Sequence, residues 1–349
     1  MTFRFRGCYT ATVTPFDSKR YVNWERILSL AEFQRANGVR GITPAGTTGE
    51  SPTLSWDEHY RVIESFFEAV GSSVETLAGT GSNSTEESIE ATRHVADHGV
   101  KAVLLVDPYY NGPSSLEIRR EYYEPIARAF PEVQMVPYII PGRTGTQLLP
   151  QDLAVLAKQY PNIQTVKEAT GNIENARLTR KLCGPGFSIM SGDDDLTLQM
   201  MRDSTIVCSG AISVISNIAP RAVSDMTEAA LAGNWAHADH LAAALQPLFA
   251  MVTVKVEEKS SYGPVPVKAR NPLPVKTMMN ILGMDVGPCR GPLGRPTKGA
   301  INVMLDGLRR VWKKNPDIFE PIEKAFEVSI EDRLHHSQHW DGLAYESAY

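Results

Sequence analysis

The strongest constraint on this chain is a repeated alternation. Short apolar runs are each followed by a longer amphipathic stretch throughout the first 235 residues. The runs expected as strands are Cys8–Val13, Val39–Pro44, Glu75–Ala78, Ala102–Val106, Gln134–Ile140, Ile163–Lys167, Phe187–Met190 and Ile206–Ser209. Between them the spacing predicts helices, including Trp24–Asn37, Trp56–Val70, Thr85–His98, Glu117–Phe130 and Gln151–Tyr160. Ser55 with Glu58, and Ser84 with Glu87, have the spacing of a capping box, which satisfies the first free N–H groups of a helix. The strands are rich in Val, Ile and Leu without strict alternation, as in a parallel sheet covered on both faces. Eight such units favour a closed (β/α)8 barrel, the TIM barrel, over an open doubly wound sheet. The open sheet would be expected to carry a glycine-rich nucleotide loop after a strand, and neither common form of that loop occurs.

The 349 residues exceed the roughly 250 that one barrel needs. The expected division is a catalytic barrel at 1–235, a C-terminal helical region at 236–329 and a tail at 330–349. Helices are expected at His237–Val252 and Gly299–Lys313. The proline-rich connector between them, Ser260 to Pro274, is expected to lack regular structure, because prolines donate no hydrogen bond and restrict their neighbours. The tail is expected to be exposed, and its His335, His336 and His339 resemble a metal cluster by composition only.

A net charge of −5 without a basic stripe excludes an evident nucleic-acid surface. No run approaches the roughly 18 apolar residues of a membrane span, and the opening residues lack the apolar core of a signal peptide. Cys8, Cys183, Cys208 and Cys289 form no CxxC pair, so free thiols in a cytoplasmic protein are expected, with neither disulfides nor zinc.

In such a barrel the reactive groups gather at the C-terminal ends of the strands. There the sequence places Gly46-Thr-Thr-Gly-Glu50, Asp107-Pro-Tyr-Tyr-Asn111, Tyr138 with Arg143, Val166-Lys-Glu-Ala-Thr-Gly171, Ser191-Gly-Asp-Asp-Asp195 and Gly210-Ala-Ile-Ser213. The first loop can turn backbone N–H groups toward an anion, and its two hydroxyls can relay protons. Lys167 is the sharpest candidate. At the end of an apolar strand, desolvation should lower its pKa and leave a neutral amine able to attack a ketone carbon. A lysine paired with Glu168 at the rim explains that residue equally well.

Together these motifs, with Asn271-Pro-Leu-Pro-Val-Lys276, resemble the class I aldolase family of dihydrodipicolinate synthase and N-acetylneuraminate lyase, in family order over about residues 8–285. The resemblance implies that Lys167 forms a Schiff base with pyruvate and that no further cofactor or metal takes part. It implies that Thr47 and Thr48 cradle the pyruvate carboxylate, and that Tyr138 relays protons with Thr48 and with Tyr110 of a neighbouring subunit. Arg143 would meet the carboxylate of the second substrate, and Gly192 and Ile212 would line the pyruvate pocket. Arg143 and the Asn271–Lys276 segment resemble the synthase branch, implying condensation of pyruvate with aspartate 4-semialdehyde by a homo-oligomer, a dimer of dimers. Ser51, Trp56, His59, Asn83, Glu87 and Tyr109 match positions where feedback-inhibited members bind lysine.

Three departures favour a relative acting on another 2-oxo acid, such as a sugar-derived one: Asp107, Ile139, and extra sequence around Lys255–Arg270 and after Phe319. A non-catalytic barrel that binds a small acid is the remaining alternative.

Overall fold

The computed structural model describes residues 4–347 and 349. Eight parallel strands close into a barrel in sequence order, with β1 pairing β8. They are β1 (Gly7–Ala11), β2 (Gly41–Thr43), β3 (Glu75–Gly79), β4 (Ala102–Val106), β5 (Gln134–Ile139), β6 (Thr165–Glu168), β7 (Ser188–Ser191) and β8 (Gly210–Ser213). Around them run α1 (Trp24–Ala36), α2 (Trp56–Val70), α3 (Thr85–Asp97), α4 (Ser115–Glu117) and α5 (Glu124–Ala129). The ring continues with α6 (Pro141–Thr144), α7 (Pro150–Gln159), α8 (Ile173–Cys183), α9 (Thr197–Arg202) and α10 (Pro220–Leu231).

Two apolar layers hold this frame. One fills the barrel itself, with Tyr9, Leu77, Leu104, Val136, Tyr138, Met190 and Ile212. The other lies between sheet and helices and runs on without a break into the C-terminal helices. Ser55 and Glu58 form the expected reciprocal cap of α2. At α3 only half of the expected box forms. Ser84 caps the helix, but the Glu87 carboxylate turns away to accept from the Ser82 hydroxyl.

Two expected elements of the barrel are displaced. Strand 8 is not Ile206–Ser209, despite its apolar character. Val207 is exposed in a left-handed turn at φ 51°, and the pairing strand begins at Gly210. That glycine is required, because a Cβ there would collide with the Gly7 backbone on β1. The predicted helix Glu117–Phe130 is interrupted by a wider π turn at Ile118–Tyr123, which buries Tyr122 and Tyr123.

Beyond the barrel come α11 (Trp235–Phe249), β9 (Thr253–Ser260), β10 (Gly263–Arg270), α12 (Leu273–Ile281), α13 (Lys298–Lys314), α14 (Glu320–Phe326) and α15 (Ile330–His335). The proline-rich connector is therefore a hairpin over most of its length. Ser260 pairs with Gly263 across a two-residue turn, so Pro264 and Pro266 face Lys259 and Glu257 at alternate positions. Their nitrogens point outward from the two-stranded ribbon, where no ladder donor is needed. The tail is ordered as well. Ile330 and Leu334 are fully buried, and Arg333 donates to the carbonyls of Asn280 and Ile281 at the end of α12. Among the described residues no helix is long and apolar enough to cross a membrane.

Candidate active site

Lys167 lies on β6, register partner of Tyr138 on β5, so both side chains point into the barrel. Its residue is 5% exposed, and Nζ stands 4.1 Å from the centroid of the Tyr138 ring. Burial pushes the Lys167 amine down from 10.5 to about 8; the charges of Asp194 and Asp193 oppose the shift, and Arg143 adds to it. The alternative partner is engaged elsewhere. Glu168 accepts from the Thr170 N–H at 2.8 Å and from Asn175 Nδ2 at 2.7 Å. Room for the amine depends on Gly192, where a Cβ would sit 2.6 Å from Ala169 Cβ and 3.1 Å from Lys167 Cε. Ile212 on β8 belongs to the same interior cluster.

The two acids after β7 do different work. Asp194 is buried, with its Oδ2 accepting from the N–H groups of Val214 at 3.0 Å and Ile215 at 3.1 Å. That ties the end of β7 to the end of β8. Burial raises its carboxyl to about 6. Asp193 is likewise raised, first by burial and then by the neighbouring charge of Asp195, while Lys167 opposes this.

Burial also raises the Tyr138 phenol to about 12; Arg143, the Thr47 hydroxyl and Arg270 all pull it down. The Thr47 hydroxyl acts on Tyr138, and the Thr48 hydroxyl accepts from Asn271 Nδ2 at 2.9 Å. Among the described residues no carbonyl takes the N–H groups of Thr47 or Thr48, which leaves them available to an anion. The loop is bracketed by two left-handed residues, Ala45 at φ 53° and Glu50 at φ 58°. Below it Glu50 forms a fully buried ion pair with Lys276 at 2.8 Å. Lys276 also donates to the carbonyls of Thr14 and Pro288.

Arg143 projects from α6 at the rim, and its Nη2 donates to the Asn271 carbonyl at 2.7 Å. Desolvation holds its guanidinium below the ordinary range, and Arg270 adds to that. Tyr110 does not enter this chain's own site. It is 90% exposed, with φ at 78°.

A buried and easily deprotonated amine, a phenol beside it, a loop with free N–H groups and a rim guanidinium make a centre for carbonyl chemistry on small acids. The model of the dihydrodipicolinate synthetase family matches residues 4–304. The chain belongs to that family. It is 40% identical over 295 residues to a 4-hydroxy-tetrahydrodipicolinate synthase from Geobacter sulfurreducens, covering 84% of this chain and 94% of the relative. The solved 4-hydroxy-tetrahydrodipicolinate synthase of Methylacidiphilum fumariolicum SolV superposes with a TM-score of 0.80 at 32% identity, over 93% of this chain and all of that one. A dihydrodipicolinate synthase from Cyanidioschyzon merolae, solved with lysine bound, gives 0.79 at 35% identity, over 88% and 98% of the two chains. This member of the dihydrodipicolinate synthetase family is a lyase of the class I aldolase type.

The two residue departures from the family pattern have structural explanations. The Asp107 carboxylate accepts from Tyr123 Oη at 2.8 Å and from the Leu148 N–H at 2.9 Å, pinning β4 to the segment after α6. Ile139, next to Tyr138, faces the outer layer between sheet and helices. Neither side chain belongs to the apolar cluster that fills the barrel.

Five of the six residues matched to a lysine site, Ser51, Trp56, His59, Glu87 and Tyr109, line one cavity of about 170 Å³. The sixth, Asn83, lies just outside and accepts from the Tyr109 N–H at 2.7 Å. His59 is buried, and its Nε2 lies 2.7 Å from the Gly79 carbonyl. The tail histidines do not converge: His336 and His339 contact Asp332, while His335 faces Glu331. Among the described residues the metal-ligating side chains that do converge are Glu64, His94 and His98 on the outer helices, where the carboxylate already pairs with both imidazoles. The four cysteines are free.

Sequence reasoning singled out the segments of Glu50, Asn271 and Lys276 but not the contacts that join them, and it missed Arg270. The Asn-Pro-Leu-Pro-Val-Lys run was the available signal, but its partners lie 223 and 226 residues away.

Proposed function

We propose that the chain condenses pyruvate with aspartate 4-semialdehyde, a step toward lysine and diaminopimelate, through an imine on Lys167. The observation that carries the reading is the buried Lys167 amine, lowered to about 8, beside the Tyr138 ring in a family member. At pH 7 roughly a tenth of such amines are neutral, against fewer than one in a thousand for an ordinary lysine. The neutral amine adds to C2 of pyruvate. Water then leaves with a proton supplied by Tyr138, giving the iminium. The Tyr138 phenolate takes a C3 proton, which leaves an enamine; its carbon attacks the aldehyde of the second substrate, and the new alkoxide takes the proton from Tyr138. The amino group of that substrate displaces Lys167 from the imine carbon, which closes the ring and frees the lysine.

In this reading the N–H groups of Thr47 and Thr48 receive the pyruvate carboxylate, and Thr47 passes the proton to and from Tyr138. Gly192 and Ile212 shape the pyruvate pocket. Arg143 receives the semialdehyde carboxylate, a fork that orients as well as attracts. The exposed, strained Tyr110 suits insertion into a neighbour's site, so the working form is a homo-oligomer, a homotetramer arranged as a dimer of dimers. Four free thiols suit the cytoplasm.

Borohydride trapping with pyruvate, read by mass spectrometry, should place one adduct on Lys167. The rate of adduct formation should climb about tenfold from pH 7 to a plateau above pH 9, because the base form of an amine with pKa near 8 is the reactive one. A flat profile, or an adduct on another lysine, contradicts this reading. A panel of aldehydes and deoxy sugar acids separates the synthase from a sugar-acid relative, and trapping itself removes a purely binding role.

The cavity beneath Tyr109 is proposed to take free lysine, its ammonium on Glu87. Lysine should then inhibit turnover, and Glu87→Gln should weaken that inhibition at least tenfold with kcat within twofold of wild type. Equal inhibition of the two proteins would reject the site.

A further inference from the structure

The hairpin β9–β10 ends at the active-site rim. Its last residue, Arg270, donates from Nη1 and Nη2 to the Gly142 carbonyl at 3.3 Å each, and the next residue, Asn271, receives Arg143 through its carbonyl at 2.7 Å. The hairpin end and α6 thus grip each other reciprocally. This brings two guanidiniums to one edge of the pocket. Both reach the Tyr138 phenol electrostatically, and each lowers it.

Two like charges so placed repel, and a fold normally neutralises such a pair with a carboxylate. Here none does. The groups that act on the charge of Arg143 are Tyr138 and Arg270, with no acid among them. Of the acids around Lys167, Asp194 is engaged between the ends of β7 and β8, while Asp193 acts on Lys167 and on the Tyr138 phenol. The contact of Arg270 with Gly142 is long and uses a carbonyl, so it holds the side chain in place without neutralising it. The rim thus carries two guanidiniums, each held by a backbone carbonyl, beside the Tyr138 phenol.

We propose that Arg270 is a second substrate-binding guanidinium, sharing with Arg143 the carboxylate of the incoming aldehyde. This deepens the reading above and rests on it. The class of aldehyde selected is one whose carboxylate lies a short, fixed distance from the reacting carbon, as in aspartate 4-semialdehyde. Two forks on one carboxylate bind more tightly than one, and an uncharged aldehyde leaves two unscreened cations facing each other. Pyruvate is held deeper, by the loop at Thr47 and Thr48, so its binding is independent of Arg270.

The test is steady-state kinetics on the full-length enzyme and its Arg270→Ala, Arg270→Gln, Arg270→Lys and Arg143→Ala variants, with the double variant Arg143→Ala/Arg270→Ala. The expected result for Arg270→Ala and Arg270→Gln is a tenfold or greater rise in KM for the semialdehyde, with KM for pyruvate and the borohydride adduct within twofold of wild type. Arg270→Lys should recover part of the loss, since charge remains but the fork is gone. The double variant should lose less than the product of the single losses, because both groups serve one carboxylate. Wild-type KM in Arg270→Gln would show that the residue only braces Gly142, and would overturn the proposal. A wild-type enzyme that traps pyruvate but does not turn over the semialdehyde would instead reject the synthase reading.

Discussion

Lys167→Met is expected to lose turnover by roughly 10⁴-fold or more, the scale on which removing a covalent nucleophile acts. Borohydride should trap no pyruvate adduct on the variant. The same substitution is expected to raise stability near neutral pH. In the folded chain the amine titrates at about 8, against 10.5 when exposed. Between those values the unfolded chain binds more protons, so the wild type gains stability as pH rises through that window. Below it the buried lysine costs roughly 3 kcal/mol, which an apolar side chain of similar length avoids. Thermal melts of both proteins at pH 6 and pH 10 check this. The variant should melt higher at pH 6, and the gap should shrink at pH 10. A variant that melts lower at pH 6 would show that the amine is not desolvated as described, and residual trapping would remove it as the nucleophile.

Lys276→Met is expected to cause the largest loss of stability of any single change near the site. The residue is 1% exposed, and its ammonium reaches Glu50, the carbonyls of Thr14 and Pro288, and the face of Phe16. Removing it strands the Glu50 carboxylate, which keeps the N–H of Arg290 at 2.8 Å and the Cys289 thiol. Breaking one side of a buried pair costs about 3–5 kcal/mol. For a chain of this length that is about 4–7 °C in Tm, from roughly 2.1 cal/mol/K per residue. Adding Glu50→Gln should return part of the loss by removing the stranded charge. Activity should fall in the single variant as well, since Glu50 ends the loop that presents Thr47 and Thr48. A melting point within 1 °C of wild type would mean that the pair is not sealed from water.

The barrel was readable in the sequence because its signal is local. A buried parallel strand is an apolar run whatever its neighbours do, and eight runs with helices between them leave few topologies. The readings failed where a local pattern and a long-range contact disagreed. Ile206–Ser209 is more apolar than Gly210–Ser213, yet only a glycine fits against the Gly7 backbone. Pro264 and Pro266 argue against a strand unless the ribbon has a free edge, and residue order does not reveal that edge. Ile330 and Leu334 look like ordinary residues of a polar tail until α12 is placed beside them.

The residue types of the candidate site stand out in the sequence, but the contacts between them do not. Lys167, Tyr138 and Arg143 announce themselves by residue type at strand ends. Adjacent hydroxyls do not say which one faces the phenol. The partner that distinguishes them, the Asn271 amide on Thr48, lies 223 residues away in the chain. Arg270 could not be placed at all while its segment was taken for irregular chain.

The clamp of Glu50 by Lys276 and Arg290 also fixes an order of events during synthesis. A ribosome that has released all eight strands has made every reacting group of the pocket, yet the loop at Thr47 still lacks the residues that hold its shape. Asn271 must emerge before Thr48 gains its amide partner, and residues 276–290 before Glu50 is neutralised and enclosed. The nascent polypeptide therefore carries its nucleophile early and acquires a competent pocket late, so a product terminated before residue 271 would lack the partners that shape the Thr47 loop.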